Sequence, residues 1–499
     1  MMRTLTSLRG SAIVLTASLA LLATPSLQSA HAQEDVVTPA LQEFNTLVRE
    51  NTDNENIINL AQRISVVCPQ LTVSFDEDFD VTNPDFTTSV DAGREAGTVE
   101  GDLVGRCTGA ILTTLGGDID GGLNILGQLA GEETLGLDTV VSGLNRSQTQ
   151  VVAARLGAFT AGSAARSVVA ETDRPVILAS VSYPNAIQSG GTATDANGMA
   201  GAFSDETDLG MGWSGYVNGY FSFGEQDPTQ LEAGFDFDSY SLSIGADRSV
   251  GQRSMLGAAL TVGQTDVEFE ANAGDTETMA VSISGYGATN FTDQLSASLM
   301  ASYGFIEHET ARRIQYFDGF DEVDRIARGE TDGDQFEITG TADYTLQAGA
   351  LSWGPTARIS YIQQNTDGYE ETGALGLNLV YDDQESASLT TGIGLSAFYA
   401  ISTDQGVFVP YGRIEWEHEF DDDARSFAVR YVGDTFATLP DAPASVIQTA
   451  SPDRDRARLG AGVSTQLAGG LSGFVDYETL LGLEDVSAHT FAVGVRWAF

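Results

Sequence analysis

Residues 491–499, the last stretch of the chain, read FAVGVRWAF. Every second residue is apolar and the final one is aromatic, and these positions are Phe491, Val493, Val495, Trp497 and Phe499. The residues between them are small, apart from one arginine. Successive side chains of a β-strand point to opposite faces of the sheet. This stretch therefore predicts a strand with one apolar face and one face of small or polar residues.

The same two-residue period runs back through the chain as far as residue 211. It predicts about twelve strands, an even number, many of them 10 to 14 residues long. That length is unusual for a soluble sheet and matches strands tilted across a bilayer. The predicted fold is a mainly β, 12-stranded antiparallel transmembrane β-barrel. The strands are expected to begin near residues 211, 238, 253, 277, 293, 334, 350, 386, 406, 455, 470 and 488.

The polar face of these strands carries several charges. Asp343, Arg358, Arg413 and Glu415 all alternate with apolar neighbours. A packed apolar core would have to bury these charges at high cost, whereas a water-filled interior solvates them. We therefore predict that the four side chains face a wet lumen and that the apolar face contacts lipid.

The connections between the predicted strands alternate in length. Short ones fall at 247–252, 289–293, 347–350, 402–406 and 467–470, whereas 308–333, 365–385 and 420–454 are long. With both chain ends of the barrel on one side, every short connection lies on that side. Outer-membrane barrels have short periplasmic turns and longer extracellular loops. The pattern therefore predicts that the long loops face outward.

The amino terminus has the features of a secretory signal peptide over residues 1–32. Arg3 and Arg9 precede an apolar run at 11–23, and an A-x-A cleavage site follows at 30–32. The mature chain is expected to begin near Gln33.

A helical region is predicted next, over residues 33–165, because apolar residues such as Leu41, Phe44 and Val48 recur at helical spacing. Residues 166–208 are rich in glycine, alanine, serine and threonine and are interpreted as a linker. The barrel domain is predicted to occupy residues 209–499.

Composition excludes some functions. The 499 residues include 70 acidic residues and 24 basic ones, all of them arginine, for a net charge of −46. Such a chain repels phosphate backbones, so nucleic-acid binding is not expected. Two cysteines and four histidines supply few soft metal ligands, and we expect neither a metal nor a cofactor.

Several stretches of the barrel region resemble the autotransporter β-domain of the type V secretion family. The resemblance implies a barrel in the outer membrane of a Gram-negative bacterium, a helix inside the pore before the first strand, and an upstream passenger that is exported or displayed. Residues 148–162 (QTQVVAARLGAFTAG) are similar to such a pore helix. The matching stretches are 213–223 (WSGYVNGYFSF), 233–241 (AGFDFDSYS), 329–335 (GETDGDQ), 416–420 (WEHEF), 452–460 (PDRDRARLG), 473–478 (GFVDYE) and the terminal strand.

The resemblance also implies partners. Export would use the Sec translocon, and the alternating terminal strand looks like the signal that the barrel-assembly machinery reads. The inserted barrel would contact outer-membrane lipids and lipopolysaccharide. The function expected from the sequence is to anchor or translocate the protein's own amino-terminal segment.

Cys68 and Cys107 bear on where that segment lies. In an oxidising compartment a disulfide is their expected state, and closing a loop of about 40 residues contributes roughly 4 kcal/mol in the chain-entropy model. A cross-linked loop passes a narrow pore with difficulty. We therefore expect the amino-terminal region to stay periplasmic or to plug the barrel, with surface exposure as the other possibility.

Two other functions remain open at the sequence level. One is an outer-membrane pore with the amino-terminal region as a periplasmic plug, its selectivity tuned by the lumen charges. The other is a barrel hydrolase built around His418, although no Gly-x-Ser-x-Gly motif accompanies it and we expect no catalytic residue. Asp76, Asp78 and Asp80 form an acidic run that lacks the glycine and glutamate of a calcium loop.

Overall fold

A computed structural model describes residues 39–73, 97–131 and 213–497, except for 252, 320, 404–405, 435–444 and 468–470. Several sequence predictions lie outside these residues. They are the signal peptide, the acidic run at 76–80, the helix at 148–162, the linker at 166–208 and Phe499.

Twelve antiparallel strands close into a barrel, as the sequence predicted. The first strand pairs with the last, so every strand has a neighbour on both sides. Closure matters because an open edge cannot satisfy its backbone polar groups in lipid. The strands are β1 (Trp213–Gln226), β2 (Phe235–Val250), β3 (Ser254–Phe269), β4 (Gly274–Asn290), β5 (Leu295–Phe317), β6 (Glu322–Tyr344), β8 (Leu351–Thr366), β11 (Gln384–Tyr399), β13 (Gly406–Glu419), β16 (Asp455–Leu467), β17 (Leu471–Leu481) and β18 (Val486–Trp497).

The two ends of the barrel differ. One end carries the start of β1, the end of β18 and five short connections, and we call it the turn end. Here two strands of three residues, β7 (Leu346–Ala348) and β12 (Ile401–Thr403), extend the connections after β6 and β11. Gly251 and Gly349 have left-handed backbone conformations in these turns, with φ of 68° and 65°. Glycine adopts such angles without the clash that a Cβ would cause.

We call the opposite end the loop end. Here the structure differs from one prediction, the long loop at 308–333. Residues 308–333 are not a loop, because β5 and β6 are each 23 residues long and pair up to Phe317 and Glu322. β4 begins at Gly274, opposite Arg312, so the last residues of β5 project beyond their neighbour on that side.

The other two long connections carry a second, four-stranded sheet at the loop end. It consists of β9 (Tyr369–Glu370), β10 (Leu379–Tyr381), β14 (Ser426–Tyr431) and β15 (Ser445–Gln448). Within the described residues, β15 and β9 are the outer strands of this sheet, and a bridge between Thr372 and Arg328 links the segment after β9 to β6.

Apolar side chains cover the outer surface of the barrel between its two ends. Ile283 on β4 is 63% exposed and Phe305 on β5 is 66% exposed, while the inward-facing Ser243 and Thr278 are fully buried. This is the inverse of a soluble protein, in which large apolar patches are rarely exposed. The exposed band matches the lipid-facing surface that the sequence predicted.

Among the described residues, four helices precede the barrel: α1 (Pro39–Asn51), α2 (Glu55–Val73), α3 (Val99–Leu115) and α4 (Ile119–Ala130). Thr98 caps α3 and Asp118 caps α4, each accepting a backbone N–H of the first turn, which satisfies donors that a helix start leaves free. No helix among the described residues is long and apolar enough to cross a membrane.

If the exposed apolar band contacts lipid, a charged substitution within the band should destabilise the barrel more than one beyond it. Ile283→Arg places a guanidinium among exposed apolar side chains, and we expect it to lower the free energy of unfolding in lipid vesicles by about 2–4 kcal/mol. Glu277→Arg, on the same face of β4 but beyond the band, should change it by less than about 1 kcal/mol. Urea unfolding followed by tryptophan fluorescence measures both, and equal effects of the two substitutions would contradict the lipid contact.

Candidate functional site: the barrel lumen and the loop end

A cluster of eight charged side chains lies on the inner face of β8, β13, β16 and β17. Four are arginines and four are carboxylates, so the cluster is neutral as a whole. Its arginines and carboxylates form hydrogen-bonded ion pairs between different strands. We call it the lumen charge cluster: Arg358, Arg413, Glu415, Glu417, Arg456, Arg458, Asp476 and Glu478.

Glycines let these pairs reach across an intervening strand. Arg358 on β8 bonds Glu415 on β13 (Nε–Oε1 2.9 Å) and also Glu417, although β11 lies between the two strands. Gly392 of β11 is the residue they pass. A Cβ there would come within 2.5 Å of Glu415 Oε1. The ion pair therefore occupies the space that any other residue would fill.

The same arrangement recurs two strands further along the sheet. Arg413 on β13 reaches Asp476 on β17 (Nη2–Oδ1 2.7 Å) across Gly460 of β16, whose Cβ would lie 2.6 Å from the Arg413 Cζ atom. Tyr411 likewise donates a 2.6 Å bond to Asp476 across Gly462. Of the four predicted lumen charges, Arg358, Arg413 and Glu415 belong to this cluster, while Asp343 is a buried residue of β6 opposite Thr356.

The wall formed by β1 to β6 and β8 is lined by hydroxyl groups that bond one another. Pairs such as Ser239–Thr265 and Ser243–Thr261 are 2.7 Å apart. Thr278 bonds His308 Nδ1 in the same way. The lumen therefore has one wall of small hydroxyl side chains and one wall of paired charges.

A cavity of about 550 Å³ opens at the loop end of the lumen. Arg456, Arg458 and Glu478 of the charge cluster line it, together with acidic residues such as Glu419 and Asp421. Arg456 is buried, and its Nη2 atom has no hydrogen-bond partner among the described residues. The cavity is therefore lined by side chains of both charges.

The four helices pack against the loop end of the barrel, not against the turn end. Their buried side chains belong to one apolar cluster that also contains residues of β5, β6 and the four-stranded sheet. On the helix side it includes Phe44, Leu60 and Ile111, and on the strand side Ile314 and Tyr381. The described helices therefore lie outside the lumen, at the loop end, and the structure alone does not assign that end to one side of the membrane.

Buried ion pairs cross this interface. Arg63 of α2 bonds Asp434 (Nε–Oδ2 3.1 Å), and Arg106 of α3 bonds Asp318 in the β5–β6 turn (Nη1–Oδ2 2.6 Å). Asp102 of α3 pairs with Arg325 of β6 (2.8 Å). Burial alone would raise the pKa of Asp102, but the hydrogen bond and charge of Arg325 hold that pKa below its usual value.

Two side-chain amides complete strand edges. Asn56 of α2 accepts from the backbone N–H of Gln448 (2.7 Å) and donates to its carbonyl (3.0 Å), on the outer strand β15. Gln128 of α4 makes the equivalent pair of bonds to Gln315, where β5 projects beyond β4. Each amide imitates a neighbouring strand at one position, which fixes the helices in register with the sheet.

Cys68 of α2 and Cys107 of α3 are joined by a disulfide, with their Cα atoms 6.4 Å apart. Both cysteines are buried in the shared apolar cluster. The bond therefore ties together the two helices that carry Arg63 and Arg106.

The three histidines of the barrel have separate surroundings. His418 is on the outer face, where it bonds Asp455 (2.8 Å) and contacts the rings of Trp416 and Phe420. His489 bonds Tyr477 and stacks on it. His418 thus lies in an outward aromatic patch at the edge of the apolar band and away from the lumen.

The predicted terminal strand is β18. Phe491 and Val493 are exposed on its outer face, and its backbone pairs with β1 and β17, including Trp497 with Leu471. The side chains of Val495 and Trp497 lie outside the described ones.

The autotransporter β-domain family model matches residues 215–478, slightly more than half of the chain. The chain belongs to the autotransporter family. This places the barrel in the outer membrane of a Gram-negative bacterium and confirms the location predicted from the resemblance to type V secretion proteins.

Individual relatives share less of the chain. Esterase EstA of Pseudomonas aeruginosa is 26% identical over 224 residues, which are 44% of this chain and 33% of that protein. Outer membrane protein B of Rickettsia japonica is 26% identical over 193 residues, or 38% and 12% of the two chains. This autotransporter thus spans a third or less of the length of these relatives that it matches.

Solved structures of similar barrels include two autotransporter domains. The translocator domain of NalP from Neisseria meningitidis is 17% identical, covers 60% of this chain and 92% of its own, and gives a TM-score of 0.46. The β-domain of Bordetella BrkA is also 17% identical, with coverages of 58% and 100% and a TM-score of 0.42.

Sequence reasoning missed most of the charge cluster and all of the helix–strand ion pairs of this autotransporter. Glu417, Arg456 and Arg458 have the same inward parity as the predicted residues, so the alternation could have found them. Arg63–Asp434 joins residues 371 positions apart, and no local signal in the sequence links them.

The glycines across which the ion pairs form provide a test of the cluster. Gly392→Val fills the space between Arg358 and Glu415, and we expect it to separate the pair and lower barrel stability by about 1–3 kcal/mol. Gly285→Val on β4 has no atom within 4 Å of its Cβ position and should be well tolerated. The temperature at which the folded barrel is lost in gel mobility assays ranks the variants. Equal temperatures for the two variants would show that the Arg358–Glu415 pair does not depend on the space at Gly392.

Proposed function

We propose that this protein is an outer-membrane anchor that displays its own disulfide-bonded helical domain on the cell surface. The observation that carries the proposal is the position of the helices at the loop end. The turn end holds both chain ends of the barrel and the short connections, which is the periplasmic side in outer-membrane barrels. The helices therefore belong on the outer side.

The helices and the first strand of the barrel lie at opposite ends of it. α4 ends at the loop end, where the adjoining Gly131 approaches Leu379, whereas β1 begins at Trp213 at the turn end. The pore helix that the family resemblance predicts, at 148–162, falls between these two points in the chain and lies outside the described residues. The paired charges and the hydroxyl wall give the lumen a polar surface suited to such a segment.

The interface supports retention at the surface rather than release. The helices and the strands share one apolar core, and a cavity between α2, α4 and the four-stranded sheet measures about 10 Å³. Releasing the helices would expose that core and would leave buried partners such as Asp318 and Asp434 without their guanidinium groups. Breaking a buried pair costs about 3–5 kcal/mol.

Display, rather than catalysis, is the proposed role of the helical domain. The β-domain is not catalytic. A relative bears the name esterase, but the match covers only a third of that protein, and residues 32–307 of this chain contain no histidine that could serve as a general base. We further propose that Sec delivers the chain and that the barrel-assembly machinery recognises the terminal strand. The exposed apolar band would then contact membrane lipids and lipopolysaccharide.

An epitope tag tests the sidedness. A tag inserted after Asp53, in the exposed turn between α1 and α2, should bind antibody on intact cells. The same tag after Gly349, in a turn-end hairpin, should bind only after the outer membrane is permeabilised. Labelling of the Gly349 tag but not the Asp53 tag on intact cells would reverse the proposed orientation.

A further inference from the structure

The helical domain is incomplete without the barrel. Almost every residue of α3 between Gly101 and Ile111 is buried, including polar and small ones. A helix that is buried on all sides needs neighbours on all sides. Among the described residues, α1, α2 and α4 supply one side, and the loop end supplies the other.

Three segments at the loop end pack so closely on α3 that little room is left for side chains between them. They contain Asp318, Gly376 and Gly433. A Cβ on Gly376 would lie 2.4 Å from the Leu103 nitrogen, and one on Gly433 would lie 3.2 Å from the Glu100 Cα atom. On the helix side, a Cβ on Gly109 would come within 2.9 Å of the Asp318 Cβ. The two surfaces therefore fit each other through glycines on both sides.

The polar groups are complementary in the same way. Arg63 and Arg106 are buried on the helix side and take their carboxylate partners Asp434 and Asp318 from the strand side. The edges at Gln448 and Gln315 in turn take their partners Asn56 and Gln128 from the helices. A helical domain folded away from the barrel would expose its half of the shared apolar core to water and would lose the bonds of Arg63 and Arg106 to these carboxylates.

We propose that the loop end of the barrel is a folding template for the helical domain, so that α2, α3 and α4 acquire their packed structure only when they are seated on it. The inference rests on the proposed surface display and adds when and where the domain folds. A segment that stays unfolded until it reaches the outer side can thread the lumen. The outer ends of β5 and β6 and the four-stranded sheet then have a function beyond anchoring.

The order of folding in cells tests the template directly. In a pulse-chase experiment on the full chain, proteinase resistance of residues 39–131 should appear together with, or after, the heat-modifiable folded barrel. Resistance that precedes barrel folding would overturn the proposal. If instead the Asp53 tag never reaches the surface, surface display itself fails, and the two failures are thereby distinguished.

Substitutions at the template give the second test. In Asp318→Asn with Asp434→Asn, the buried arginines lose their counter-charges, and we expect the Cys68–Cys107 bond to be reduced at least tenfold faster by a membrane-impermeant phosphine on intact cells. Asp324→Asn is the matched control, because Asp324 lies near the same turn but pairs with the exposed Arg313. Arg63→Gln with Arg106→Gln leaves the barrel sequence unchanged and should match the double aspartate variant. Reduction rates within twofold of the unsubstituted protein, in variants with folded barrels, would contradict the proposal.

Discussion

A single apolar core, built from helices and from the loop-end parts of strands, is the contact on which the position of the helices depends. Its two halves come from residues 41–130 and 314–447. They are joined in the chain by a long connection and in space by direct packing. Because burying apolar surface is the dominant favourable term in folding, neither half is complete alone. Retention, orientation and the proposed order of folding all follow from this sharing.

The lumen solves a different problem. A wet interior can hold charge, but isolated charges in a narrow barrel would repel or attract a passing chain unevenly. Here four arginines and four carboxylates neutralise one another across the strands, and Gly392 and Gly460 provide the space in which they meet. The opposite wall bonds its own hydroxyl groups together. The lumen therefore presents a largely satisfied polar surface.

Alternation along the strands made the barrel predictable, because the two-residue period assigns each side chain to lipid or lumen. Arg358, Arg413 and Glu415 were found in this way. The extension of β5 and β6 was not found, because outside the membrane both faces of a strand can be polar, as at Glu307 and His308, and the charged run looks like a loop. The position of the helices was also missed, since it is set by contacts such as Arg106–Asp318 between distant parts of the sequence.

Cooperativity of the shared core is the most direct measure of the whole account. Hydrogen exchange of the full chain in lipid nanodiscs, followed by mass spectrometry at increasing urea concentration, reports on helices and strands separately. The account predicts that amides of α2 and α3 lose protection in the same transition as the outer residues 306–316 of β5. A separate transition for the helices, with β5 protection unchanged, would show two independent units and would contradict it.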